Sequence, residues 1–247
     1  MSLNAKKAPG GGSKRPRQPA LEAGTYPARL VQVIGLGTQK QRPFQGQEKD
    51  PRFEIYTTYE LLDEFVLDEE GEEQEDKPRW ISERLPLHAL DSDLAKSTKR
   101  YYALDPKETH GGDWGELVGT ACMVTITKTK DKKGKTDDNG EPIYYNNVAS
   151  VATMRDKDAK KAEGLKNEPK VFDPTEPEME VFLSLPDWLR DTIKEALDFD
   201  GSPLSKALDG VDEKEEAKKL RKSDDKSDKK EEDSDDKDEE ESQNDDW

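Results

Sequence analysis

The sequence predicts a mostly β domain in which five strands and one intervening helix form a barrel, with an added C-terminal helix and disordered ends. Five segments between residues 24 and 154 have the β-branched and aromatic density of strands. Between the third and fourth of them, apolar residues recur at helical spacing. Only 30% of the residues are apolar and 39% are charged, so the chain is too polar to pack from end to end.

The first predicted strand is TYPARLVQVIGLG, residues 25–37, and glycines end it. Gly35 and Gly37 resemble the start of a nucleotide-binding G-x-G-x-x-G turn, but Lys40 stands where the third glycine belongs. A strand end or a bulge is therefore the favoured interpretation of these glycines.

The second and third strands are predicted in RFEIYTTYELL, residues 52–62, and RWISERLPL, residues 79–87. Apolar and polar residues alternate in both, which is typical of half-buried strands, although Glu83 interrupts the apolar face of the third. The acidic stretch LDEEGEEQEDKP between them contains Gly and Pro and predicts a loop.

The helix is predicted in SDLAKSTKRYYALDP, where Asp91 or Ser92 can cap it and Pro106 stops it after about three turns. The fourth strand, ELVGTACMVTITKTK, places Cys122 on its buried side, and YYNNVASVATM forms the fifth after a Lys/Gly/Asp loop. The apolar stripe of the helix contains Leu94, Tyr101 and Leu104.

Beyond the fifth strand, residues 157–180 are charged and contain prolines, which predicts a linker or an arm along the surface. LPDWLRDTIKEALDF then predicts an amphipathic helix that docks on the sheet through Leu189, Ile193, Ala196 and Leu197. The expected regions are a disordered basic arm (1–21), a barrel domain (22–156), a linker with a packed helix (157–200) and a disordered acidic tail (201–247).

The net charge of -17 is concentrated in two segments. Residues 231–247 contain 11 acidic residues and one basic residue, and residues 68–76 contain seven acidic residues and no basic one. The remainder has 39 acidic and 39 basic residues, so its body is neutral and remains compatible with nucleic acid.

The sequence offers little for catalysis. His88 and His110 are the only histidines, neither has the spacing of a zinc site, and a single buried Cys122 makes a poor nucleophile. We expect no enzyme activity, no cofactor and no metal; a metal-dependent nuclease with paired acids is an alternative that lacks any motif. No apolar run approaches the roughly 20 residues that cross a bilayer, and no signal peptide precedes the domain. We therefore expect no membrane partner and a cytoplasmic protein, in the host cell cytoplasm if the chain is viral.

Cations and aromatic residues are interleaved in the loop after the first strand and on the polar faces of the second and third strands. This composition is typical of surfaces that bind single-stranded nucleic acid, because bases stack on rings while Lys and Arg neutralise phosphates. Each ring also has a structural alternative: Phe44 can pin its loop, Tyr56 can cover a hydrophobic edge, and Trp80 can lie under the C-terminal helix. The candidate contacts are Lys40, Arg42, Phe44, Arg52, Tyr56, Trp80 and Arg84.

Three cations of the predicted helix, Lys96, Lys99 and Arg100, share one face. They form either a phosphate track, and are candidate DNA contacts, or the solvated side of the helix. Tyr101 is expected in the core, because it belongs to the apolar stripe.

Five strands with a helix between the third and fourth is the chain order of an OB fold. GTYPARLVQVIGLGTQ, the strand ending in YEL, SDLAKSTKRYYAL, GDWGELVGTACMVTIT and YYNNVASVATM together resemble bacteriophage single-stranded DNA-binding proteins with an OB fold, over residues 23–155. The resemblance implies a non-catalytic protein that coats single-stranded DNA without sequence specificity during DNA replication and recombination. The acidic segment 68–76 departs from a DNA-binding surface, so we expect it to point away from the groove.

The resemblance also implies a role for the chain end. Many such proteins end in acidic residues capped by an aromatic one, and Asp245, Asp246 and Trp247 are similar to that arrangement. They are expected to bind a phage DNA polymerase, primase-helicase or recombination protein, while the tail competes with DNA for the groove.

A different class of function is the main alternative: an acidic protein-binding module, or an assembly chaperone for a basic partner. It explains the acidic segments equally well, but not the cations and rings on the strand faces. The sequence leaves a monomer and a homodimer both open.

Overall fold

The computed structural model describes residues 18–137 and 140–220. The six strands are β1 (Gly24–Gln39), β2 (Arg52–Leu67), β3 (Glu73–Pro86), β4 (Ala121–Lys130), β5 (Tyr144–Thr153) and β6 (Lys170–Phe172). The helices are α1 (Lys96–Leu104), α2 (Asp156–Ala159), α3 (Met179–Ser184), α4 (Asp187–Lys194) and α5 (Pro203–Ala207); a 3-10 turn spans Gly115–Leu117, and residues 213–220 are also helical. The protein is mostly β, as predicted.

The strands form one sheet in the order β3-β2-β1-β4-β5, in which every pair along this path is antiparallel. β1 organises the sheet, because residues 24–29 pair with β4 and residues 28–39 with β2, while β6 adds in parallel beside residues 32–34. The register of β1 shifts between Gly35 and Thr38, where Gly37 has a φ of 72°. The prediction of a bulge at these glycines is confirmed.

The inner face of the sheet packs with α1 around a hydrophobic core. The face of β2 predicted to point to the core is correct, since Ile55, Tyr59 and Leu61 are buried there. The prediction that β2 is only half-buried is wrong: Glu54, Thr58 and Glu60 on the opposite face are buried as well, because other parts of the chain, such as the Lys166 amide that bonds Glu60, cover them. Tyr101 and Cys122 are fully buried, as predicted.

An ion pair between Arg100 and Glu83 spans the space between the two outer strands of the sheet. The Arg100 Nε donates to Glu83 Oε1 at 2.7 Å, and its Nη2 donates at 3.1 Å to the carbonyl of Ala149 on β5. The pair explains why a glutamate interrupts the apolar face of β3. It also differs from both predictions for Arg100, because the side chain is neither on a phosphate track nor solvated.

The N-terminal segment contributes a second link between the same two strands. The side-chain amide of Asn146 on β5 accepts from the Leu21 backbone N–H and donates to the Leu21 carbonyl. Arg79 on β3 donates to the Pro19 carbonyl at 2.7 Å. Residues 18–21 are therefore anchored, although the sequence predicted them as part of a disordered arm; residues 1–17 lie outside the described residues.

A second hydrophobic cluster forms on the outer face of β1, where Ile34 and Leu36 pack against the C-terminal helices. Leu189 and Ile193 bury α4 there, as predicted. Leu197 is 51% exposed, contrary to the predicted stripe, because α4 has already ended at Lys194.

The region after residue 200 was predicted as disordered, and its first part is not. Leu204 in α5 is fully buried and Ala217 is 4% exposed, both against the second cluster. A few apolar side chains are sufficient to order this segment, because they pack against an apolar surface that β1 and α4 already form. Residues 221–247 lie outside the described residues.

Two other predictions differ in detail. Leu94 is 88% exposed rather than part of the helical stripe, since α1 begins only at Lys96. The β2–β3 hairpin is longer than predicted, and its turn is confined to residues 68–72, where Asp68 Oδ1 accepts from the Glu70 and Glu72 amides. Over the residues described, no helix is long and apolar enough to cross a membrane.

Candidate nucleic-acid interface

The loop between β1 and β2, residues 40–51, folds into a tight turn that exposes an aromatic ring. The backbones of Phe44 and Gln47 bond each other reciprocally at 2.9 and 3.0 Å, and Gly46 has a φ of 80°. The Phe44 side chain is 59% exposed, and the Lys49 ammonium lies 4.9 Å from its ring centroid. The ring is therefore presented to solvent rather than packed under the loop.

Two adjacent cavities lie between this loop and the ends of β2 and β3. The first has a volume of about 420 Å³ and the second about 440 Å³, and both are lined by Gln41 and Lys49. Their acidic members are Glu48, Asp50 and Glu54. Their cations are Lys40, Arg42, Lys49, Arg52 and Arg84, four of which were predicted as DNA contacts.

Glu54 orients Arg84 at the floor of the first cavity. This carboxylate is 6% exposed; it accepts from Arg84 Nε and, at 2.6 Å, from Gln41 Nε2. Within residues 18–137 and 140–220, Lys40, Arg42 and Arg52 form no ion pair. The cavities therefore retain cations that are available to an anionic ligand.

The pKa of His88 reports the electrostatics of the second cavity. Burial lowers this pKa below its ordinary value, and the nearby positive charges of Arg52 and Lys49 lower it further. The imidazole is therefore neutral at pH 7, and its surroundings favour negative charge.

The predicted aromatic residues Tyr56 and Trp80 lie on the outer faces of β2 and β3. Tyr56 lies opposite Arg84, and Glu60 lies opposite Trp80, whose Nε1 donates to Glu60 Oε2 at 3.4 Å. Trp80 is 43% exposed, so it does not lie under the C-terminal helix. Tyr56 instead packs edge to face with Trp188 of α4, at 5.4 Å between ring centroids.

A strap formed by residues 162–167 crosses the outer face and bounds this surface. Arg29 on β1 donates to the carbonyls of Glu163 at 2.6 Å and Ala162 at 3.1 Å. Its cross-strand partner Glu60, which is fully buried, accepts from the amides of Lys166 at 2.7 Å and Asn167 at 3.2 Å. Because Glu54, Thr58 and Glu60 on the outer face of β2 are buried, the exposed part of this surface lies on β3, from Trp80 to Arg84, and continues to the loop 40–51.

Two of the three cations predicted as DNA contacts on α1 are exposed to solvent. Lys96 and Lys99 are exposed, and a 3.1 Å bond from the His88 amide to Ser97 Oγ places the first turn of α1 beside the second cavity. Arg100 is 4% exposed and paired with Glu83, so the structure does not bring it to this surface.

Sequence reasoning missed two features. Trp188 was treated as a residue of a docking helix, and its exposure depends on how α4 sits on the sheet, for which the sequence carries no signal. The second is the surface of the β4–β5 hairpin, whose strands were predicted but whose lysines and tyrosines were not proposed as DNA contacts. Its Lys128 ammonium lies 5.0 Å from the centroid of the Tyr144 ring, and Tyr144 and Tyr145 are 39% and 43% exposed. The hairpin lysines are Lys128, Lys130, Lys132, Lys133 and Lys135.

The remaining predicted contacts, Asp245, Asp246 and Trp247, lie outside the described residues. In the part of the chain that the structure describes, no three His, Cys, Asp or Glu side chains converge as metal ligands would. Comparison of the chain with known proteins found no matching family model, no matching curated protein and no matching solved structure. The resemblance to phage proteins therefore stays a prediction.

Proposed function

We propose that this protein binds single-stranded DNA without sequence specificity and coats and protects it during phage DNA replication and recombination. The observation that supports this most directly is the convergence of five cations on two adjacent cavities beside the loop that exposes Phe44, with Trp80 exposed further along β3. Lys and Arg neutralise phosphates, and unpaired bases stack on the rings. Both interactions are indifferent to base identity.

In this proposal the strand runs over the exposed part of β3, from Trp80 to Arg84, and along the loop 40–51. Lys96 and Lys99 extend the phosphate contacts along α1, and the β4–β5 hairpin offers a further basic and aromatic surface. Because the protein binds only unpaired DNA, it shifts the equilibrium of DNA hairpins toward the single strand by mass action. No catalytic step is required.

We also propose that the sheet is an OB barrel. The strand order β3-β2-β1-β4-β5 supports this, as does the bridge that Arg100 makes from Glu83 on β3 to Ala149 on β5. In that arrangement α1 fills the gap between the two outer strands, and the DNA-binding surface is the outside of the barrel.

The acidic tail is proposed to compete with DNA. Residues 231–247 carry 11 acidic residues and one basic residue, which gives the segment a charge density comparable to that of a nucleic acid strand. Displaced by DNA, Asp245, Asp246 and Trp247 would bind a polymerase, a primase-helicase or a recombination protein. This part of the proposal rests on the sequence alone.

Fluorescence anisotropy tests the proposal, with labelled oligo-dT and a matched duplex titrated by the full chain and by a chain ending at Lys230 across a salt series. We expect tighter binding of oligo-dT than of duplex, an affinity that falls as salt rises, and tighter binding after truncation. Equal binding of the two DNAs, or binding of neither, contradicts DNA coating. Unchanged affinity after truncation contradicts only the competition by the tail.

A further inference from the structure

An exposed indole stands beside the proposed groove on an ordered helix. Trp188 lies next to Leu189 in α4, yet Leu189 is 1% exposed and Trp188 is 55% exposed. Single exposed apolar residues are common on proteins, so exposure alone carries no conclusion. The position of Trp188 carries the argument: its ring lies 5.4 Å from that of Tyr56, and Tyr56 lies opposite Arg84, which lines the first cavity.

The helix that carries Trp188 is fixed to the strand that leads into the cationic loop. Gln39 Nε2 donates to the Thr192 carbonyl of α4 at 3.0 Å. Asp198, just beyond α4, accepts from the Thr38 amide at 2.8 Å and from its hydroxyl at 2.6 Å. A Cβ at Gly37 would lie 2.7 Å from that of Ala196, so the backbones approach closely here. The position of α4 is therefore set relative to Lys40 and the loop that follows.

The contact with Tyr56 fixes the plane of the indole and leaves stacking surface open. The two rings meet at 74°, and such an edge contact covers at most one face of the indole. Tyr56 itself is only partly exposed and packs into the second hydrophobic cluster. Trp188 thus presents a ring to solvent, whereas Tyr56 supports it.

We infer that Trp188 stacks on an unpaired base, that α4 is a third side of the DNA groove, and that Tyr56 is a positioning residue rather than a stacking one. The inference rests on the proposed function and deepens it. The cations of the cavities contact phosphates, which single strands and duplexes both present. An indole face stacks only on a base that is free of its pair, so Trp188 determines the preference for the single strand.

The test compares Trp188→Ala and Trp188→Phe with Leu94→Ala in the full chain. Leu94 is a matched control because it is also a large exposed apolar residue, at 88%, and lines neither of the two cavities. Anisotropy with oligo-dT should show about 5- to 100-fold weaker binding for Trp188→Ala, an intermediate loss for Trp188→Phe and no change for Leu94→Ala. Affinity for the matched duplex should change less than about twofold, so the single-strand preference falls.

Intrinsic tryptophan fluorescence supplies a readout that a purely structural role would not move. Oligo-dT should quench the fluorescence of the wild-type chain, and Trp188→Phe should reduce the amplitude of that quenching. Tyr56→Phe keeps the ring edge and should bind like wild type, whereas Tyr56→Leu should weaken binding of oligo-dT in the same direction as Trp188→Ala.

The outcomes separate this inference from the proposed function. A wild-type chain that shows no preference for oligo-dT contradicts the proposed function itself. A wild-type preference that persists unchanged in a folded Trp188→Ala variant contradicts the inference alone. If Trp188→Ala lowers the melting temperature, Trp188→Phe decides: weaker binding with a wild-type melting temperature supports stacking, and unchanged binding with unchanged quenching overturns it.

Discussion

The two ends of the β2–β3 hairpin carry opposite charge. At the turn, residues 68–76 hold seven acidic residues and no basic one. At the other end, Arg52 and Arg84 meet the cations of the loop 40–51. β2 is 16 residues long, so the ends are separated by tens of ångströms, about 50 Å if straight, against a Debye length of about 8 Å at physiological salt. The net charge of -17 for the whole chain therefore does not represent the local charge at the basic end of the hairpin. At this distance the acidic turn does not repel single-stranded DNA bound at the basic end.

Removal of the Arg100–Glu83 ion pair, on the inner face of β3, should have the largest effect on the protein. Arg100→Ala should lower the free energy of unfolding by about 3–5 kcal/mol, because it leaves the Glu83 carboxylate buried and without its charge partner. Urea denaturation followed by circular dichroism measures this. Lys99→Ala, at the exposed neighbour, is the control and should change stability by less than about 0.5 kcal/mol. Equal effects of the two substitutions would contradict a structural role for Arg100.

Neutralising each end of the hairpin in turn tests whether DNA binds only at the basic end. The triple variant Lys40→Gln, Arg42→Gln, Arg52→Gln should weaken oligo-dT binding on the order of 100-fold at low salt and flatten the salt dependence, with a log–log slope reduced by about 2. The matched variant at the acidic end, Glu69→Gln, Glu70→Gln, Glu72→Gln, should change affinity by less than about twofold at physiological salt. A larger effect at the acidic end would place the strand near the turn instead.

The C-terminal tail combines an acidic sequence, like that of the hairpin turn, with a terminal aromatic residue, Trp247. Deleting Trp247 alone keeps every carboxylate, so we expect unchanged DNA affinity but about 30-fold weaker binding to the cognate replicative polymerase, if the indole anchors in that partner. Calorimetry with the polymerase and anisotropy with oligo-dT measure the two quantities. Loss of DNA affinity in this variant would count against a partner-binding role for the ring.

The smallest expected effect is a shift in the titration of His88, next to the basic end. Burial and the charges of Arg52 and Lys49 hold its pKa below 6.5, and phosphates bound in the cavity would offset those charges and raise it. DNA binding should then take up protons, so affinity should rise as the pH falls below about 6.5. NMR titration of the imidazole with and without oligo-dT measures the shift, with the His110 signals as the internal reference. A pKa that falls on binding would exclude phosphate from this cavity.

The sequence predicted the parts of this fold that depend on local pattern. The alternation in residues 52–62 identified the side chains of β2 that face the core, although the opposite face is also buried, and the glycines of β1 identified its bulge. Contacts between distant residues were not predictable in the same way. Glu83 looked like a defect and Arg100 like a surface cation, because each is explained only by the other, 17 positions away.

The predicted ends of β2, β3 and the ordered C-terminal region were wrong for a related reason. The start of β3, residues 73–77, is acidic and mostly exposed, so its extension to Glu73 left no hydrophobic signal. The end of β2 does contain the partly buried Phe65, Val66 and Leu67, but the acidic residues around it favoured a loop. Ala217 contributes little area of its own and is ordered by an apolar face that residues far upstream create. Trp188 shows the same limit at the candidate site, since its exposure follows from the docking of α4 on β1.

The strap over the outer face has a consequence for how this protein can diverge. Arg29 and Glu60 hold residues 162–167 mainly by main-chain carbonyl and amide groups. Two side chains of this strap add bonds at 2.6 Å, from Asn167 to Glu60 and from Lys166 to the Glu75 carbonyl. The position of this strap therefore depends more on the number of residues between its anchors, Arg29 and Glu60, than on the identity of its side chains. Evolution or an engineer can rewrite most of its side chains at little risk, whereas deleting a single residue would pull the chain away from one of its two anchors.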